Sequence, residues 1–172
     1  MAVNPGSEPG RARAGADGSP EDRPDVIARP PFLYLAALVL GIGLDLLWPA
    51  TVGLEPSLLY SVAGALVAAG GALVALAARR FRAVGTNVPT NRPTTALVTD
   101  GPYRVSRNPI YIALSSFYVG LALFADSPWA LALLAPLLVV MRYGVIAREE
   151  AYLARKFGAA YLGYKASVRR WL

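Results

Sequence analysis

Four blocks of apolar residues, separated by segments rich in polar residues, Gly and Pro, organise this chain. The first runs from Pro31 to Pro49, the second from Ser57 to Ala78, the third from Pro109 to Ala125 and the fourth from Trp129 to about Ala147. A helix needs about 20 apolar residues to cross about 30 Å of hydrocarbon, and the last two blocks lie at the lower limit of that range. The pattern predicts an all-α, polytopic membrane protein with about four transmembrane helices, spanning about 31–49, 57–78, 109–125 and 129–147. Thr51 to Pro56 is a short connection, and Asp126-Ser127-Pro128 is a turn tight enough to fold the last two blocks into a helical hairpin. Gly64, Gly70 and Gly71 in the second block permit close approach of a neighbouring helix. Ahead of the first block, Met1 to Arg29 mixes Gly, Pro, Ala, Glu, Asp and Arg without apolar periodicity. Residues 1–30 therefore read as a disordered tail, without a signal-peptide pattern, before a membrane domain over 31–172.

After the fourth block, Arg148 to Leu172 is too polar to span a bilayer. Leu153, Phe157, Tyr161, Tyr164 and Val168 recur every three to four residues, with Arg155, Lys156 and Lys165 off that stripe. The spacing predicts a cytoplasmic C-terminal amphipathic helical segment, lying on the membrane or folded over a site. Gly158 and Gly163 allow a break within it.

Composition agrees with a membrane protein: 55% of residues are hydrophobic and 16% charged, with mean hydropathy +0.43. A net charge of +6 would suit nucleic acid, but the placement of the charge follows topology instead. Four Lys and Arg precede the first block, six lie in 79–107, seven follow from Arg142 onward, and both short connections have none. By the positive-inside rule every basic segment faces the cytoplasm, which predicts a multi-pass protein of the cell (inner) membrane with both termini cytoplasmic. The chain has no Cys and no His. Disulfides, thiolate ligands and cysteine nucleophiles are excluded, and the commonest general base and metal ligand is missing, so no metal is expected. Chemistry must run on Arg, Lys, Asp, Glu, Tyr, Asn, Ser and backbone groups, or on a cofactor that arrives already activated.

The central polar segment holds the strongest local motif, G-P-Y-R-V-S-R-N-P-I-Y from Gly101 to Tyr111. Gly101-Pro102 marks a turn, and Asn108-Pro109 marks a helix start, with Asn as N-cap and Pro in the first helical position. The free amides of that helix end suit an anion, and Arg104 and Arg107 add charge just ahead of it. The alternative is that both arginines only anchor the helix among lipid headgroups. Glu149-Glu150, at the exit of the fourth block, would supply a carboxylate counterpart if not simply solvated. With Tyr103 and Tyr111 the two sets could hold a zwitterion. Asp45 is a lone carboxylate near Trp48-Pro49 and reads as interfacial.

The order L-V-T-D-G-P-Y-R-V-S-R-N-P-I-Y (Leu97 to Tyr111), a helical hairpin, E-E-A-Y-L (Glu149 to Leu153), F-G-A-A-Y-L-G-Y-K (Phe157 to Lys165) and a basic end at Arg169-Arg170 resembles the isoprenylcysteine carboxyl methyltransferase family, relatives of the membrane phospholipid methyltransferases. The resemblance covers about residues 79–172. It implies an enzyme that binds S-adenosylmethionine in a cytoplasmic pocket closed by its C-terminal segment and takes a lipophilic acceptor from the bilayer, with no nucleic-acid partner. Carried over by position, the cofactor contacts are Thr95, Ala96, Leu97, Val98, Tyr103, Asn108, Pro109, Ile110, Tyr111 and Glu149. Arg107 and Glu150 are the candidate catalytic residues, and Arg142 and Tyr161 the candidate substrate contacts. Asn108 stands where the family often has His, and keeps hydrogen bonding without titrating near neutrality. Val145 stands where the prenylcysteine enzymes carry an arginine. The acceptor implied is isoprenylcysteine carboxylate-like, with a phospholipid amine or small thiol as the alternative. A non-catalytic scaffold whose basic face binds anionic lipid is the reading from another class.

Overall fold

The computed structural model describes residues 24–85 and 96–172. Most of the expected N-terminal tail therefore lies outside the described residues. The described chain is helical and has no strand: α1 (Pro30–Leu47), α2 (Pro56–Val84), a 3-10 turn (Gly101–Arg104), α3 (Pro109–Phe124), α4 (Pro128–Val140), a π-helical segment (Met141–Ile146), α5 (Ala147–Phe157) and α6 (Ala159–Ser167). Three helical stretches are long and apolar enough to cross a membrane, and α3 is a shorter apolar helix among them. Their outward faces carry large apolar side chains such as Leu46, Val39 and Leu35, at 85%, 62% and 55% exposure, as lipid contact requires and water would not favour. The protein is a multi-pass membrane protein.

α3 occupies the middle of the bundle. It packs along α2 on one side and touches α1 and α4, while α1 also pairs with α4. Small residues set these approaches. A Cβ on Gly70 would lie 3.0 Å from the Ala113 carbonyl oxygen of α3, as the glycine-rich second block led one to expect. Gly120 answers it from the α3 side, where a Cβ would meet Val67 Cγ2 at 2.8 Å and the Ala63 carbonyl at 2.9 Å. Gly41 does the same for α1, lying against the backbone of Ala130. In a bilayer, where burial of apolar surface gives no drive for helices to associate, such close contact is the main source of attraction.

The hairpin between α3 and α4 is locally encoded. Ser127 accepts from the Ala130 amide at 3.1 Å as an N-cap, and its own amide returns to the Ala122 carbonyl at 3.0 Å. Asp126 accepts the Val52 amide at 2.9 Å, joining the two connections at this end. The indole of Trp129 donates to the Trp48 carbonyl at 2.8 Å, an aromatic pair of the kind found at bilayer interfaces.

Two helices outlast the apolar blocks that predicted them. α2 continues through Arg79, Arg80 and Arg82, and at 29 residues is about 44 Å long, so its last turns lie beyond the hydrocarbon. From Pro128 the helix runs without interruption for 30 residues to Phe157. The expected separation near Ala147 is absent, because hydropathy falls there but no helix-breaking residue intervenes. Instead the helix widens into π turns at Met141–Ile146. The Gly144 carbonyl in this segment accepts the Ile27 amide at 3.2 Å, and the Ile27 side chain fills the space beside that glycine. The true break comes at Gly158, with φ +52°, between α5 and α6. About 20 residues from Pro128 suffice to cross the bilayer, which leaves α5 and α6 outside it.

Candidate functional site

A cavity of about 810 Å³ opens where the motif loop, the start of α3, α5, α6 and the segment before α1 converge. It is lined at one end by charged groups and elsewhere by rings and aliphatic side chains. The α3 N-terminus forms because Pro109 takes the first helical position, and the Asn108 carbonyl accepts from the Tyr111 and Ile112 amides. Asn108 thus occupies the expected N-cap position, yet its side chain does not cap. Its amide donates to the Arg170 carbonyl at 2.9 Å instead, while Ser106 Oγ takes the Asn108 backbone N–H at 3.1 Å.

Arg107 turns into the cavity and its side chain is only 9% exposed. Nη2 lies 3.2 Å from Glu150 Oε1, whereas Nε and Nη1 are buried with no hydrogen-bond partner among the described residues. Unpartnered buried donors on a cation are costly, and a ligand bearing an anionic acceptor would relieve that cost. Arg104, the other motif arginine, is exposed and does not join it.

Glu149 and Glu150 face the same cavity but in different settings. Glu149 Oε1 accepts the Tyr111 hydroxyl at 2.7 Å, tying α5 to α3. On the far side of that contact, Ser115 Oγ donates to the Tyr111 carbonyl at 2.9 Å and pairs with the Tyr34 hydroxyl at 2.9 Å, so α1 braces the same tyrosine. Glu150 is buried, accepts Arg170 Nε at 2.9 Å and Nη2 at 2.8 Å, and has Lys165 at 3.5 Å as well as Arg107. Adjacent glutamates after a span are usually solvated; these are not. Engaged by three cations, Glu150 has neither oxygen free to take a proton from an acceptor. Arg107 and Glu150, the two candidate catalytic residues, thus meet at the cavity.

The apolar walls follow from the motif and the C-terminal stripe. Tyr103 is buried edge-on to Phe81, with centroids 5.5 Å apart, beside Val98 and Ala77. Tyr164 donates to the Tyr103 carbonyl at 2.7 Å. Burial pushes the Tyr161 and Tyr164 phenols up to about 12, and Tyr103 higher still, so all three remain neutral hydroxyls. The hydrogen bonds to Glu150 hold the Arg170 guanidinium above its ordinary value. Of the amphipathic stripe, Leu153, Tyr161 and Tyr164 line the cavity.

Of the residues singled out from the sequence, Ala96, Leu97, Val98, Tyr103, Arg107, Asn108, Pro109, Ile110, Tyr111, Glu149, Glu150 and Tyr161 all line this cavity. Thr95 lies outside the described residues. Arg142 is not brought to the site: it is exposed on the π segment, with its guanidinium 5.4 Å from the Tyr143 ring centre. Val145 is fully buried in the apolar core. Asp45 sits near the other end of α1, away from the Pro30–Phe32 turn that borders the cavity.

The sequence model of the phospholipid methyltransferase family matches residues 58–160, a stretch that holds most of α2, the motif loop, α3, α4 and both glutamates. This chain belongs to the phospholipid methyltransferase family. Among curated proteins it is 37% identical over 68 residues to a nickel-cobalt-cadmium resistance protein, NccN, of Alcaligenes xylosoxydans xylosoxydans, a match covering 40% of this chain and 32% of that protein. It is 54% identical over 35 residues to an uncharacterized protein of Haemophilus influenzae, covering 20% of this chain and 56% of the relative. The matches thus span about a third and about half of those relatives' lengths. No solved structure matches.

For this methyltransferase-family member, sequence reasoning missed the residues that arrive from the two ends. Arg170 grips Glu150 from 20 positions away, and its carbonyl reaches the motif loop from 62. Arg29, just ahead of α1, and Pro31, in its first turn, border the cavity. The basic dipeptide Arg169-Arg170 was a visible signal, but nothing in its local pattern names a partner.

Proposed function

We propose that the protein is an S-adenosylmethionine-dependent membrane methyltransferase acting on a lipophilic acceptor. The observation that carries this reading is the pairing, on one cavity, of a buried guanidinium with two unpartnered nitrogens and a separately held carboxylate, Glu149. The proposed cofactor has the complementary groups: a carboxylate for Arg107, cationic and hydroxyl groups for Glu149, and a flat heterocycle for the walls formed by Tyr103, Phe81, Val98 and the backbone at 96–98. A volume of about 810 Å³ is ample for it and leaves room for a reacting group. When bound, S-adenosylmethionine supplies a methyl group on a sulfonium, which is already electrophilic.

The residues of the chain then need only bind, align and exclude water. Arg107 and Glu149 hold opposite ends of the cofactor's amino-acid arm, and the Tyr111 hydroxyl fixes Glu149 through a hydrogen bond of 2.7 Å. Tyr161, Tyr164 and Leu153 close the cavity toward the aqueous side, while Phe32, Val74 and Leu114, from three of the spanning helices, border it on the membrane side. That border is the route by which an acyl-bearing acceptor would approach. A prenylcysteine carboxylate has less support than a phospholipid headgroup: Val145 offers no cation, Arg142 points away, and the matched family is named for phospholipids.

The test is isothermal titration of detergent-purified protein with S-adenosylhomocysteine, followed by labelled-methyl transfer to phospholipids, prenylcysteine analogues and small thiols. Binding with transfer to one lipophilic class is expected. A folded protein that binds no S-adenosylhomocysteine would instead support the lipid-binding scaffold. For orientation, the arginine distribution supports a cavity on the cytoplasmic side. A cysteine at Thr99 should then resist an impermeant reagent in intact cells while one at Thr51 reacts, and the reverse pattern would overturn that topology.

A further inference from the structure

The charged end of the cavity contains one carboxylate shared by two arginines, and the two share it unequally. Arg170 makes a parallel two-point contact, Nε to Oε1 at 2.9 Å and Nη2 to Oε2 at 2.8 Å. Arg107 is left with one contact to this carboxylate, Nη2 to Oε1 at 3.2 Å, and its Nε and Nη1 are the nitrogens without a hydrogen-bond partner among the described residues. Two-point pairing is the preferred geometry for a guanidinium and a carboxylate. Were Arg170 absent, Glu150 could turn its full edge to Arg107 and occupy the donors that now face the cavity.

Arg170 is also fastened to the loop that carries Arg107. Its carbonyl accepts Ser106 Oγ at 3.2 Å and Asn108 Nδ2 at 2.9 Å, and the Arg169 carbonyl accepts the Arg107 backbone N–H at 2.9 Å. Trp171 packs against the main apolar core. The C-terminal segment therefore holds Arg107 by a main-chain bond and the residues on both sides of it through their side chains, while the Arg170 side chain engages the carboxylate that Arg107 would otherwise consume.

We propose that Arg170 is a positioning residue: by occupying Glu150 it keeps Arg107 Nε and Nη1 free to bind the carboxylate of the cofactor's amino-acid arm. The inference rests on the cofactor reading above and adds to it a residue that touches no ligand.

The experiment compares two nucleosides on the full chain in detergent: S-adenosylhomocysteine, and 5′-methylthioadenosine, which lacks the amino-acid arm. Wild type should prefer the former. Arg170→Ala should weaken S-adenosylhomocysteine about tenfold, the scale of one charge-assisted hydrogen bond. Its affinity for 5′-methylthioadenosine should stay within about twofold of wild type, which also reports that the variant is folded. Arg170→Lys, which keeps the charge without the two-point contact, should fall between. Adding Glu150→Ala to Arg170→Ala removes the competitor and should restore most of the lost affinity. Equal loss for both ligands, no loss in Arg170→Ala, or no recovery in the double variant would overturn the positioning role. Wild type that binds neither nucleoside would overturn the cofactor reading itself, a different outcome from wild-type binding that Arg170→Ala leaves unchanged.

Discussion

The two ends of the helix bundle are held together in different ways. At the end where α1 meets α2 and α3 turns into α4, the ties are few and, among the described residues, form no ion pair: a serine cap, an aspartate on a loop amide, and a Trp129–Trp48 pair. At the cavity end, nearly every polar tie joins residues distant in sequence, from Tyr111–Glu149 to Asn108–Arg170, and each charged group has a specific partner or a specific lack of one. Between them the helices are joined by small residues at van der Waals contact. The difference teaches that stability and function are separable here. The middle and the hairpin end fix the spans, and the cavity end spends its polar groups on holding a site open.

Substitutions should break this contrast in a definite order. The largest effect is expected for Gly120→Val, whose side chain would run into the Ala63 carbonyl and Val67. Overpacking typically costs about 1–3 kcal/mol, and backbone cannot yield as a side chain can. The thermal midpoint in detergent should fall markedly, and a midpoint within a degree or two of wild type would mean the α2–α3 contact is looser than described. Next is Tyr111→Phe, which removes the hydroxyl from Glu149 with little change in shape. Ligand affinity should fall by about 1–2 kcal/mol, the value of a hydrogen bond to a charged group, with the midpoint nearly preserved. If the midpoint falls and affinity does not, Tyr111 belongs to the scaffold. The smallest effect is expected for Trp129→Phe, which loses one half-exposed hydrogen bond at the hairpin end. It should cost at most about 1 kcal/mol of stability and leave S-adenosylhomocysteine titration unchanged; altered binding would show that the two ends are coupled.

The same contrast explains what could be read from the chain. Spans, the hairpin turn, the α3 start and the close-packing role of Gly70 follow from hydropathy, turn chemistry and residue size, which act within a few positions. Asn108 shows where such reading stops: its place before Pro109 was legible, but the choice of its amide for the Arg170 carbonyl over its own helix depends on a segment that returns from the far end of the chain. Glu149 and Glu150, identical in type and adjacent, part for the same reason, one meeting a phenol and the other three cations. The continuation of the fourth span into α5 escaped notice because falling hydropathy was read as an end of helix, although only Gly158 supplies a stop. Arg142, expected as a substrate contact, is exposed on the π segment beside the Tyr143 ring and does not line the cavity.

The central claim is that the cavity end is a cofactor site in which Glu149 holds ligand. Titrating wild type and Glu149→Ala with S-adenosylhomocysteine, with circular dichroism to confirm that helix content is retained, tests it most directly. Wild type should bind, and the variant should be weaker by about 1–3 kcal/mol, the usual cost of losing a hydrogen bond to a charged group. Equal affinity in the two proteins would remove Glu149 from the site and contradict the account.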